Sequence, residues 1–77
     1  SAQPVYSGIA AAQNIHGRVI IRAVIGLDGN VETAQVLRSD HFTLDELAID
    51  AAKKHKFTRP THKGQPVMFA KTLIFKF

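Results

Sequence analysis

Ser39, His41 and Asp45 bring a hydroxyl, an imidazole and a carboxylate close together in the chain. Those are the groups that a nucleophile, a general base and an orienting acid require. Catalysis needs them to converge in space around a cleft. Here they cluster along the sequence at the start of a helix, and no Gly-rich nucleophile turn accompanies them. A chain of 77 residues also leaves little room for a cleft. No catalytic residue is assigned, and an enzyme is not expected. Four histidines, His16, His41, His55 and His62, raise metal binding as a second chemistry. Their spacing does not put two ligands on one helical face with a third nearby. Structural or solvent-facing roles are expected, with no metal and no cofactor. His55 reads as partly buried packing.

A third chemistry is charge. Lys53, Lys54, Lys56, Arg59 and Lys63 form a basic cluster, and the formal net charge is +4. That balance favours acidic partners in general. No aromatic residues for stacking bases are interleaved with the cluster, and no helix-turn-helix, RNP-like or zinc-finger signature is present. The cluster reads as a solvated helix end favoured by the helix dipole, and nucleic acid is not an expected partner. A small basic polyanion- or nucleic-acid-binding domain, or a self-assembly domain, is the alternative class.

The fourth chemistry belongs to the backbone. From Val67 to Phe77, apolar residues recur at Val67, Phe69, Leu73, Phe75 and Phe77. Period two is the pattern of a half-buried strand. Fully extended, the run would reach about 36 Å, so it is expected to overhang its neighbours and to leave N–H and C=O groups without partners.

The elements that position this strand are legible upstream. Three consecutive Ala between Ile9 and Asn14 suggest a short helix bounded by Gly8 and Gly17. Arg18 to Ile25 reads as a strand, with Val19, Ile21, Ala23 and Ile25 on the core face and Arg18 and Arg22 on the other. Leu27-Asp28-Gly29-Asn30 is a tight-turn signal. A second strand runs from Val31 to Ser39, and a bulge near Glu32 or Thr33 would bring Val31 onto the face of Ala34 and Val36. Thr43 is the expected N-cap of the main helix, with Glu46 completing a capping box and Phe42 and Leu47 forming a staple. Leu44, Leu47, Ala48, Ala51 and His55 trace its apolar stripe, and Pro60 bars continuation past Phe57. Residues 1–7 read as an extended lead-in, Thr58 to Gln65 as a basic loop, and Pro66 as the opening of the last strand.

The expected fold is therefore α+β: a three-stranded antiparallel sheet packed on one main helix, with a short N-terminal helix. Residues 1–77 form a single domain. There is no cysteine, hence no disulfide, and 45% hydrophobic residues argue against disorder. No apolar run approaches the ~20 residues that span a bilayer. The abrupt start at Ser1-Ala2-Gln3-Pro4 reads as a cut from a longer protein. The sheet's second face would show Ile20, Val24, Met68, Ala70 and Ile74, and a two-layer domain this small cannot cover both faces and both edges. Either it self-associates or an outside segment completes the sheet.

These landmarks, in this order, resemble the C-terminal domain of TonB-type energy transducers. They are Ile15-His16-Gly17-Arg18-Val19, Asp28-Gly29-Asn30-Val31, Val36 with Ser39, Leu44-Asp45 with Ala48 and Ala51, Phe57 with Pro60, Gly64-Gln65-Pro66-Val67, and Phe75. The likeness runs from about Tyr6 to Phe77. The chain departs from the family's pattern in three places. Tyr6-Ser7 replaces Tyr-Pro, His55 stands where an aromatic is common, and two residues rather than one separate Phe57 from Pro60.

The resemblance implies a periplasmic domain of a Gram-negative bacterium, tethered to the inner membrane by an N-terminal helix and a Pro-rich spacer. It implies that the last strand pairs with an N-terminal segment of outer-membrane active transporters. An inner-membrane proton-channel motor complex would supply force for uptake of iron chelates or vitamin B12. Strand addition takes affinity from main-chain bonds and specificity from side-chain pockets. The expected contact runs along Phe69, Ala70, Lys71, Thr72, Leu73 and Ile74, with Lys71 attracting acidic residues. Four to six bonds at about 0.5–1.5 kcal/mol each, less ordering costs, give a roughly micromolar complex. A homodimer through the same edge is the rival arrangement.

Overall fold

Exposure alternates residue by residue along β1 (Arg18–Ile25): Val19, Ile21, Ala23 and Ile25 are fully buried while Arg18 and Arg22 lie in solvent. The uncharged face went inward, as the pattern requires. A computed structural model of the protein describes residues 6–77, so most of the expected lead-in lies outside the described residues. β2 (Val31–Ser39) returns antiparallel to β1 through a turn over residues 27–30, where Gly29 takes φ 86°. The pairing slips twice, so that Glu32 and Leu37 have no partner on β1. The first slip is the expected bulge, and it puts Val31 with Ala34 and Val36 on the core side. The second, at Leu37, was not foreseen and leaves that side chain about half exposed.

α2 (Asp45–Lys54) lies over β1 and β2. Its buried positions are Ala48, Ala51 and Ala52, with Leu44 just ahead of it. Small side chains let the helix axis approach the sheet, and Leu44, Val19, Ile21 and Phe75 fill the space around them. The start of the helix corrects two expectations. A 3-10 turn, Phe42–Leu44, precedes it, and the cap is His41, whose Nδ1 accepts the N–H of Thr43 at 3.2 Å. Thr43 therefore sits inside the turn and cannot close a capping box with Glu46. Phe42 is 81% exposed, so the staple with Leu47 is absent. The extra tight turn begins the helical path earlier and swings Phe42 outward.

The helix stops at Lys54, before Pro60 could act on it. His55 is extended, and the chain turns back along the β1–β2 turn: Asn30 bridges Lys56, and the Phe57 N–H donates to the Gly29 carbonyl at 2.9 Å. The expected basic loop then holds a small ribbon, β3 (Thr61–His62) against β4 (Gln65–Pro66). Its two-residue turn is Lys63-Gly64, at φ 52° and 80°, the left-handed pair that a primed hairpin turn uses. Pro66 closes this ribbon, opposite Thr61, and does not open the long final strand.

β5 (Phe69–Lys76) pairs antiparallel with β1 from Arg18↔Lys76 to Ile25↔Phe69 without a slip, giving the sheet order β2-β1-β5. It begins two residues later than Val67 and is as long as β1. The expected overhang does not exist; its unmet backbone groups arise because it is an edge. α1 (Gly8–Ala12) is shorter than the span Ile9 to Asn14, because Asn14 turns to φ 55° and leaves the helical path. Ala10 docks it in the core. The Tyr6 hydroxyl donates to the carbonyls of Ala10 and Ile15, and its ring lies 6.3 Å from that of Phe77. Tyr6 thus packs at the end of the sheet.

Candidate docking edge

The chemistry of an edge strand depends on which residues aim their backbone groups outward. Gly17 and Phe77 exchange both N–H···O=C bonds, at 3.2 and 2.8 Å. In an antiparallel ladder such pairs alternate with pairs that share no hydrogen bond. The unbroken register carries the alternation along the strand. Phe69, Lys71, Leu73 and Phe75 spend their main-chain groups on β1. Ala70, Thr72, Ile74 and Lys76 turn theirs to the free side. Of the six residues expected to form the contact, only Ala70, Thr72 and Ile74 hold backbone groups for an incoming strand. Phe69, Lys71 and Leu73 contribute side chains instead. Lys76 belongs with the first set and was missed, because parity is fixed by the partner strand and not by β5 itself.

The two edges of the sheet are not equivalent. β2 is interrupted at Glu32 and Leu37. Bulges blunt an edge against pairing, whereas charged side chains occur on both edges, Glu32 and Arg38 on β2 and Lys71 and Lys76 on β5. β5 is regular over its eight residues, about 26 Å at the usual rise.

Above the edge, on the helix side, lies an aromatic shelf. α2 packs chiefly on β1 and β2 and meets β5 at the buried Phe75. Phe75 is buried, Phe69 and Leu73 are half-buried, and Lys71 is exposed. The His55 ring meets Phe75 edge-on at 5.6 Å, and Phe57 meets Phe69 edge-on at 6.1 Å. His55 thereby does the packing of an aromatic ring at the position where the family's pattern has one, although its Nε2 is buried without a hydrogen-bond partner among the described residues. Lys71 does not stand free as a point charge. Its Nζ lies 5.4 Å from the centre of the Phe57 ring, a contact worth about 0.5–1 kcal/mol at an exposed site. Gly29 lies close against Phe57: a Cβ there would strike the Phe57 carbonyl oxygen. Sequence reasoning missed Phe57 because only the close approach of Gly29 to the chain after α2 brings it beside β5.

Below the edge is the open face of the sheet. Ile20 and Val24 are half-buried, Ala70 is exposed, and Ile74 and Met68 are at least half exposed, which is the expected set. Arg18, Arg22 and Arg38 stand among them, with Lys76 on β5. A shallow depression of about 150 Å³ is lined by Arg18, Ile20, Arg38, Asp40 and Ile74.

The other candidate chemistries are dispersed. Ser39 Oγ donates to the His41 backbone carbonyl at 2.9 Å, and His41 Nδ1 is committed to its cap. Hydroxyl and imidazole are not paired as a nucleophile and base would be. His16 Nε2 bonds Asn14 Oδ1 at 2.7 Å. Asp28 is held below the ordinary carboxylate value, chiefly by the Asn30 backbone N–H, with the Arg59 charge a smaller cause. Among the described residues, no helix is long and apolar enough to cross a membrane.

Residues 2–77 match the family described as Gram-negative bacterial TonB protein C-terminal. The chain belongs to that family. The expected resemblance is thus established over essentially the whole chain, and the α+β architecture agrees with it. TonB C-terminal domains are transducer and interaction domains rather than enzymes. A search of curated proteins found no match.

Proposed function

We propose that this domain docks an extended N-terminal segment of outer-membrane active transporters along the free side of β5 and passes force to it. The observation that carries this reading is the regular edge, with Ala70, Thr72, Ile74 and Lys76 turned outward in a chain of the TonB family. Strand addition needs that row of donors and acceptors and is tolerant of partner sequence. Side chains of the docked segment would rest on the Phe57, Phe69 and Leu73 shelf on one side and the open face on the other. The rest of the cycle is proposed with it: a periplasmic location, an inner-membrane tether and proton-channel motor through the N-terminal part, and uptake of iron chelates or vitamin B12.

Amide-resolved titration with transporter N-terminal peptides tests the docking. Shifts concentrated at Ala70, Thr72, Ile74 and Lys76 are expected, with weak dependence on salt. Shifts confined to Lys53–Lys63, with binding that collapses as salt rises, would instead establish a polyanion site at the basic cluster.

A further inference from the structure

After Asp50 the chain carries Lys53, Lys54, Lys56, Arg59, Lys63, Lys71 and Lys76 and no carboxylate. Up to and including Asp50, the carboxylates outnumber Arg18, Arg22 and Arg38. A charge balance divided this way along a chain points to an anionic surface as partner. The fold gathers most of the later cations at one end. α2 finishes there with Lys53 and Lys54, and Lys56 bridges Asn30 in the β1–β2 turn. The chain then leaves as the β3–β4 ribbon. The ribbon starts against that turn, where a Cβ on Gly29 would lie 3.6 Å from the Arg59 nitrogen. Its base is tied by the Val67 N–H, which donates to the Pro60 carbonyl at 3.0 Å. Beyond this bond, every residue from Thr61 to Pro66 is exposed, and a Cβ on Gly64 would meet nothing within 4 Å. The ribbon is a finger in solvent that carries His62 and Lys63, with Arg59 at its root.

Lys63 takes φ 52° at the first position of the turn, where Asn, Asp or Gly is preferred. The lysine opposes the preference of the turn and packs on nothing, so what it contributes is charge at the tip. Apolar side chains flank the root of the finger. Leu27 and Met68 are each about half exposed, and both follow the last pair of the β1–β5 ladder, Ile25↔Phe69. The carboxylates nearby sit at the foot and not on the ribbon. Asp28 accepts the Asn30 N–H and side-chain amide, each at 3.0 Å. Glu32 folds against Gly26, and Asp50 lies one turn ahead of Lys53 and Lys54 on α2. We infer that the β3–β4 ribbon docks this end of the domain onto an anionic phospholipid surface, with Arg59 and Lys63 on headgroup phosphates and Leu27 and Met68 entering the interface. A soluble acidic polymer needs the cations alone, whereas cations projecting beside exposed apolar side chains suit a bilayer surface.

Vesicles of phosphatidylcholine, with and without phosphatidylglycerol, test this by sedimentation and amide line broadening. The domain should sediment with the anionic vesicles only and lose most of that binding at high salt. Broadening should centre on Leu27, His62, Lys63, Gly64 and Met68. Arg59→Gln together with Lys63→Asn should lower the partition about tenfold, given a scale of about fivefold per cation at a charged surface. Lys63→Asn alone should raise the melting temperature, because Asn suits the turn. Met68→Ser should lower the partition about threefold at every salt concentration. Absence of sedimentation with anionic vesicles at low salt, equal sedimentation with both vesicles, or a partition that the double variant does not change would overturn the proposal. So would a partition indifferent to Met68→Ser together with binding of soluble polyglutamate, which would assign the ribbon to an acidic polymer instead.

Discussion

Gly29 and His41 show how single residues set local geometry, Gly29 beside the edge and His41 at the start of the main helix. Gly29 combines φ 86° with a position where a Cβ would strike the Phe57 carbonyl. Gly29→Ala should cost about 2 kcal/mol or more in urea unfolding. It should also weaken peptide docking, because Phe57 carries the shelf. His41→Ala removes the acceptor for the Thr43 N–H and should cost about 1 kcal/mol. Thr43→Ala should be nearly neutral, the opposite ranking from the one a capping box implies. Asp28 gives a pH signature. Its carboxyl is lowered by the Asn30 N–H, so its contribution to stability is full above the ordinary carboxylate range and is lost as pH falls through its depressed value. A melting series of Asp28→Ala against the parent should show a gap at neutral pH that closes in strong acid.

At the scale of elements, β5 is read by parity. Its even residues face the free side and its odd residues bond to β1, so two neighbouring proline substitutions should have opposite consequences. Thr72→Pro deletes an outward donor and should leave the fold intact while abolishing peptide binding, checked by circular dichroism and amide titration. Leu73→Pro deletes a donor in the β1 ladder and should destabilise the domain by about 3 kcal/mol or more in urea unfolding. If both variants fold and bind alike, the assignment of the free side is wrong. The strand itself was legible as a period-two run, and so were the spans of β1 and β2. The β3–β4 ribbon was not, because Lys63-Gly64 is an unusual pair for a primed turn and the strands beside it are two residues long.

On the scale of the whole molecule, the placement of α2 over β1 and β2 creates an asymmetry. One edge is bulged twice, while the other is regular and flanked by the half-buried rings of Phe57 and Phe69. A second copy of the chain can compete for that edge. In sedimentation experiments, any dimer formed at high concentration should therefore dissociate on adding docking peptide, and Thr72→Pro should remain monomeric.

The sequence alone determined the order of the two helices and three long strands, the buried face of β1, the alanine stripe of α2 and the family, because each is written in local periodicity and short landmarks. Tertiary structure alone decided which backbone groups of β5 stay unpaired, that Phe57 and His55 flank them, and that Arg18 faces Lys76. The physical reason is that a strand's hydrogen-bonding parity and its neighbours belong to the pair, and no stretch of one strand encodes the register of the other.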